Sequence, residues 1–279
     1  MLARLGGPND VSLRARNLGF RLSNSISSSG FADVARHRFL KNAPIREAIV
    51  DIKVSPPINA NTLEPLFQSL KDDYPQQELM QQSTFGFEIG PNAMRTSRLD
   101  AAVQGCRLTS KDGKHIVQFR ADGFTFSRLP PYQTWEAMRE HAEPLWKEYR
   151  EHSRAESIAK AAVRYINVMN LPLPVTDIKE FLCAPPSLPA SLPQELAGFF
   201  SRVTVLNRDI DAAAFVTQAL ESSLENKLQV VLDIDVFKEP KDPWQASDSS
   251  TWDKLEEMRN FKNRIFFESI TEKTAELFE

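Results

Sequence analysis

The sequence predicts an α+β protein of two similar halves, each an antiparallel sheet covered by one long helix, with the halves joined into one continuous sheet. Three observations predict it. Two segments, 45–54 and 159–170, are β-branched and alternate in polarity with the two-residue period of a strand. Two stretches, one after Pro130–Pro131 and one from Ser250, carry apolar residues at helical spacing. Between each opening strand and its long helix lie several strand-length segments separated by turn residues. The order strand, short helix, antiparallel strands, long helix over 45–153 therefore recurs over 159–279, without any repeat of the sequence itself. A sheet with one apolar face and a long helix to cover it is a complete two-layer unit. The halves are set at 39–157 and 158–279, and neighbouring opening strands would make the sheet continuous.

In chain order, IREAIVDIKV (45–54) puts Ala48, Val50, Ile52 and Val54 on one face and Glu47, Asp51 and Lys53 on the other. Pro56 and Pro57 end it. Asn59 or Asn61 can cap the short helix that follows, where Leu63, Leu66, Phe67 and Leu70 share a face. Strand-like segments at 79–89, 102–109, 114–121 and 124–129 form a meander, with Asp112–Gly113 and Asp122–Gly123 as residues that tolerate positive φ in tight hairpins. Pro131 suits the first turn of a helix with Trp135, Met138, Ala142, Leu145, Trp146 and Tyr149 as its apolar stripe. Pro144 is expected to kink that helix. A strand at 159–170, a short helix near 176–182, a proline-rich loop over 185–193 and strands at 199–208, 212–220 and 227–237 follow. The last helix starts near Ser250, with Asp253 as its capping acid and Trp252, Leu255, Met258, Phe261, Ile265 and Phe266 on its buried side.

With 279 residues, 42% of them hydrophobic, the chain can bury a sizeable core, which excludes a wholly disordered chain. Its 34 basic and 37 acidic side chains give a formal charge of −3, so no general attraction to phosphate is present and nucleic-acid binding is not expected. No apolar run reaches the roughly 18 residues that span a bilayer, so no membrane partner is expected. Cys106 and Cys183 lack metal-type spacing, and with no hydrophobic signal sequence the simplest compartment is a reducing cytosol. The first forty residues differ from the rest. Arg4, Arg14, Arg16, Arg21, Arg36 and Arg38 alternate with a serine cluster over 23–29, a composition shared by targeting segments and plain extensions. On either reading residues 1–38 are expected to be a disordered extension outside the core.

NAPIREAIVDI (42–52), DGFTFSRLPPYQTW (122–135), Leu145–Trp146, VRYIN (163–167) and FFESIT (266–271) together resemble a sporadically distributed family of uncharacterised prokaryotic proteins, from about residue 40 to the end. The resemblance implies a bacterial or archaeal cytosolic protein and favours reading the first forty residues as an addition. It brings no catalytic residue with it.

VRYIN is chemically mixed on both faces. Alternation puts Arg164 with Ile166 and Val168, and Tyr165 and Asn167 with Val163 and Met169. Arg164, Tyr165 and Asn167 are therefore candidate ligand-binding residues in a cleft between the halves, while the structural alternative is an Arg164 paired with a buried acid. Glu47, on its own face of the opening strand, is the candidate for that acid and a fourth site residue. Asp233 and Asp235 share a strand face at a spacing that can hold a divalent cation, yet an ordinary half-exposed strand has the same pattern, and no metal site is assigned. His141 and His152 are eleven residues apart on a helix, about 16 Å, too far to share a metal. His115 reads as a surface residue of the meander. Tyr132 and Trp135 form a candidate partner surface if exposed, because exposed aromatics anchor interfaces.

With no reactive constellation and near-neutral charge, the chain reads as a binding or adaptor component that acts through another protein, with no cofactor. Sporadic distribution in the resembled family points to a defence or toxin-neutralising system. The alternative is an enzyme or small-molecule binder whose pocket between the halves takes an anionic ligand.

Overall fold

The 45–54 alternation becomes strand β1 (Ile45–Ser55), whose Ala48, Val50 and Ile52 are completely buried. The computed structural model describes residues 20–21, 33–90, 93–224 and 227–279. Arg4, Arg14, Arg16 and the serine cluster lie outside the described residues. A 3₁₀ turn at Ala60–Leu63, capped by Asn59, leads into α1 (Glu64–Ser69). The chain continues through β2 (Gln76–Gly90), β3 (Ala93–Thr109), β4 (His115–Arg120), β5 (Gly123–Arg128) and α2 (Trp135–Ser153). After β6 (Ser157–Pro172) come β7 (Phe200–Asn207), β8 (Ala212–Leu224), β9 (Lys227–Lys238), α3 (Thr251–Ser269) and α4 (Glu272–Glu276).

One antiparallel sheet carries ten of the described strands, in the order β2-β3-β4-β5-β1-β6-β9-β8-β7, with Trp244–Gln245 pairing the start of β6. The two opening strands are neighbours, with Ala48 opposite Tyr165 and Val50 opposite Val163. On each side of this central pair the next strand is the last of its run, β5 beside β1 and β9 beside β6. The long helices α2 and α3 lie on the same face, where the Trp135 and Trp252 rings stand 6.3 Å apart and Arg139 lies over the Trp252 ring. Beneath them Val163, Tyr165, Leu232, Ile234, Phe124 and Phe126 form the core, which excludes water from the sheet's apolar face. The opposite face holds charged pairs, among them Arg120 with Asp51 at 3.0 Å.

Several expectations need correction. The meander is longer than read. The segment 93–101 is strand because it pairs with β2 from Gly90 opposite Ala93 onward, and the register shifts between Met80 and Gln81 and between Thr84 and Phe85 interrupt its two-residue alternation. Helix α2 does not open at Pro131. Thr134 caps it by accepting from the Ala137 N–H at 3.1 Å, and the helix then runs through Pro144. At the start of α3 it is Asp248, not Asp253, that accepts the Ser250 N–H, at 2.8 Å. The helix expected near 176–182 is a three-residue 3₁₀ turn, Ile178–Glu180. The core also begins before residue 39. Ala35 is buried, its N–H bonded to Ile270 at 3.1 Å, and Arg38 pairs with Glu272 at 2.8 Å and Glu279 at 2.7 Å.

Candidate functional site

Helix α3 buries one stripe, and a lysine sits on it. Leu255, Met258, Lys262 and Phe266 recur at three- and four-residue spacing, so Lys262 is aimed at the sheet with the apolar residues. Only 6% of Lys262 is exposed. Its Nζ stands 3.7 Å from the centroid of the Tyr165 ring, a cation–π contact. Among the described residues no carboxylate lies within ion-pair distance. Burial first, and the nearby Arg259 guanidinium second, push its ammonium down to about 7.

Beside Lys262 a cavity of about 260 Å³ opens where β1 begins, before α2, and between β6 and α3. Tyr132, Tyr165, Asn167, Arg259, Lys262 and Phe267 line it. Tyr165 is completely enclosed, so burial drives its hydroxyl well above the usual phenol range, and its oxygen lies 2.8 Å from that of Tyr132. Asn167 is held by donating to the Leu232 carbonyl at 2.9 Å. Among the described residues Arg259 bonds Asn260, at 3.1 Å, and has no ion pair; the Glu136 carboxyl is held below the usual range first by its own backbone N–H, then by the Thr134 hydroxyl and last by the Arg259 charge. Exposed His37 and Phe39 stand at the rim.

The six sequence candidates divide. Tyr132, Tyr165 and Asn167 meet in this cavity. Arg164 and Glu47 lie on the other face of the sheet, as strand alternation requires, and they do not pair with each other. Arg164 instead grips Asp233 with two bonds, Nε to Oδ1 at 2.8 Å and Nη2 to Oδ2 at 2.6 Å. The Asp233 carboxylate is thereby occupied, and burial raises that of Asp235. Trp135 is 1% exposed, so it is core and not a partner surface. The sequence reading missed Lys262 and Arg259. A signal existed, since a lysine between Met258 and Phe266 interrupts an otherwise apolar stripe.

His115 is also not a surface residue. It is 9% exposed, its ring 4.4 Å from that of His141, and its Nε2 lies 2.6 Å from Arg128 Nη1. Burial first, then the charges of His141 and Arg128, push it down to about 4. Among the described residues no group of three or more His, Cys, Asp and Glu is placed to hold a metal ion, and no helix is long and apolar enough to cross a membrane. Comparison with protein-family models, with curated proteins and with solved structures returns no match to this chain.

Proposed function

We propose that the chain is a ligand-binding protein whose cavity takes a small organic anion with an apolar or planar body. The observation that carries this is Lys262, a buried amine facing the cavity with no carboxylate partner among the described residues. An unpaired buried cation is costly, so such a group either sheds its proton or waits for an anion. Arg259, one turn back on the same helix, adds a planar fork suited to a carboxylate or phosphate. Phe266, Phe267 and Leu40 offer apolar contact to the rest of the ligand. The strand runs on either side of the β1–β6 pair are taken as two halves of one doubled module, which puts the cavity at their seam.

A panel of carboxylates, phosphates and sulfonates, scored by thermal shift and titration calorimetry, tests the reading. At least one class should raise the melting temperature, and Arg259→Gln should weaken its binding about tenfold, the loss of one charge-assisted contact. Stabilisation by neutral compounds alone would remove it.

A second reading, the adaptor that docks on a defence or toxin-neutralising partner, draws on one observation. The edge strand β7 leaves Phe200, Val203 and Leu206 exposed by 70%, 52% and 68%. Unpaired edges of this kind accept a strand from a partner. Loss of a co-purifying protein in Val203→Lys, with anion binding intact, favours this role.

A further inference from the structure

We infer that Lys262 acts as an amine nucleophile toward a 2-oxo or 3-oxo carboxylate held in the seam cavity. The inference rests on the anion-binding reading and goes beyond it, since it assigns a covalent step.

Three features converge on this amine. It lines the cavity from a buried position, where an ammonium loses its hydration. Its flat neighbour is the Tyr165 ring, which offers a cation only weak compensation compared with a carboxylate. Arg259 adds like charge. Desolvation and a neighbouring cation are the two ways in which a lysine is made reactive near neutral pH, and with its ammonium brought to about 7 a large share is free amine there. The same Arg259 is placed to take the carboxylate of the incoming acid.

Donors for the carbonyl oxygen are also present. The Tyr132 and Tyr165 hydroxyls bond each other at 2.8 Å, and both residues line the cavity. In the step the Nζ lone pair forms a bond to the carbonyl carbon, and the C=O π electrons move to oxygen, which takes up a proton. The nitrogen gives up one proton, leaving a carbinolamine; its hydroxyl takes up a second proton and is expelled as water by the nitrogen lone pair, and the iminium so formed gives up its remaining N–H proton to leave an imine. Amine plus carbonyl gives imine plus water, with no oxidant or reductant required. The titratable and charged groups that face Lys262 or line its cavity are Tyr165 from β6, Tyr132 and Glu136 from the start of α2, Arg259 on its own helix, and His37 and Arg38 from the N-terminal arm.

The full chain is incubated with pyruvate or phenylpyruvate and sodium cyanoborohydride, and reduced adducts are located by peptide mass spectrometry. Exposed Lys147 serves as the internal reference. The expected result is labelling of Lys262 at least tenfold above Lys147 at pH 7, a labelling rate that rises with a midpoint near pH 7, and no labelling at position 262 in Lys262→Arg. Circular dichroism confirms that the variant is folded. Oxamate, which resembles pyruvate in shape but lacks the ketone, is titrated in parallel. If oxamate binds while Lys262 is labelled no faster than Lys147 by both acids, the amine role is overturned and the anion site stands. If Lys262 is labelled and neither oxamate nor other anions bind, the amine role stands and the anion site falls. Failure of both arms overturns both.

Discussion

His115 and Lys262 carry the same physical signature, a basic group largely withdrawn from water, with 9% and 6% of each residue exposed. For His115 the consequence is acid sensitivity. Its ordinary value is 6.5 and in the fold it lies at about 4, with His141, Arg128, Lys114 and Asp112 as the charged neighbours that act on it. Between those values the unfolded chain binds a proton that the native chain refuses, so stability falls as pH drops from 6.5 toward 4. His115→Gln should flatten that limb, recovering roughly 2–3 kcal/mol at pH 4 relative to pH 7, measured by urea denaturation across the range. An unchanged acid limb would assign the sensitivity to other groups. For both, the face was legible in sequence and the surroundings were not. Alternation does put His115 in line with Val117 and Phe119, on the covered face, so the face was readable. That a helix would bring His141 to it was not. Lys262 was readable as a polar residue on an apolar stripe, but its lack of an acid partner among the described residues depends on the other elements around the cavity.

At the scale of elements, strand faces follow from alternation, whereas strand neighbours depend on register. Arg164 needs an acid, and Glu47, Asp233 and Asp235 all point to its face of the sheet. The sequence does not contain the information that β9, and not β1, delivers the carboxylate within reach of the guanidinium. Glycines divide in the same way. Asp112–Gly113 and Asp122–Gly123 look alike as turn pairs, and both sit at hairpins. Gly113 has φ of +68° with open space around it, while a Cβ on Gly123 would stand 2.2 Å from the Ile52 carbonyl oxygen of β1. The first position asks for backbone freedom and the second for close strand approach. Gly123→Ala should therefore cost about 2–4 kcal/mol, through forced displacement of β1 from β5, and Gly113→Ala about 1 kcal/mol, the left-handed penalty alone. Equal losses for the two in denaturant titrations would contradict this division.

For the molecule as a whole, the pairing of β1 with β6 was legible because both opening strands are apolar on alternate positions and need a neighbour on each side. The N-terminal arm was not legible, because an arginine-rich composition says nothing about contacts more than 230 residues away in sequence. The arm crosses from β1 to the C-terminal end of the chain. Glu272 N–H donates to the Asp33 carbonyl at 2.7 Å, the Arg36 N–H donates to the Glu272 carboxylate at 2.9 Å, and Asn42 Nδ2 donates to the Glu279 carbonyl at 2.9 Å. Ala35 closes over Ile270, and His37 and Arg38 reach the rim of the cavity. Fold closure and the cavity rim thus share one segment. Exposed ion pairs contribute little on their own, but here they accompany a buried residue and backbone bonds. A chain starting at residue 39 should melt about 5 °C or more below one starting at residue 33, given the ~2–4 °C per kcal/mol of a domain this size. It should also bind any anion that stabilises the longer chain more weakly, since Arg38 and His37 no longer bound the cavity. Equal melting temperatures with equal affinities for the two lengths would show the arm to be dispensable to both, and would return the boundary of the working molecule to residue 39.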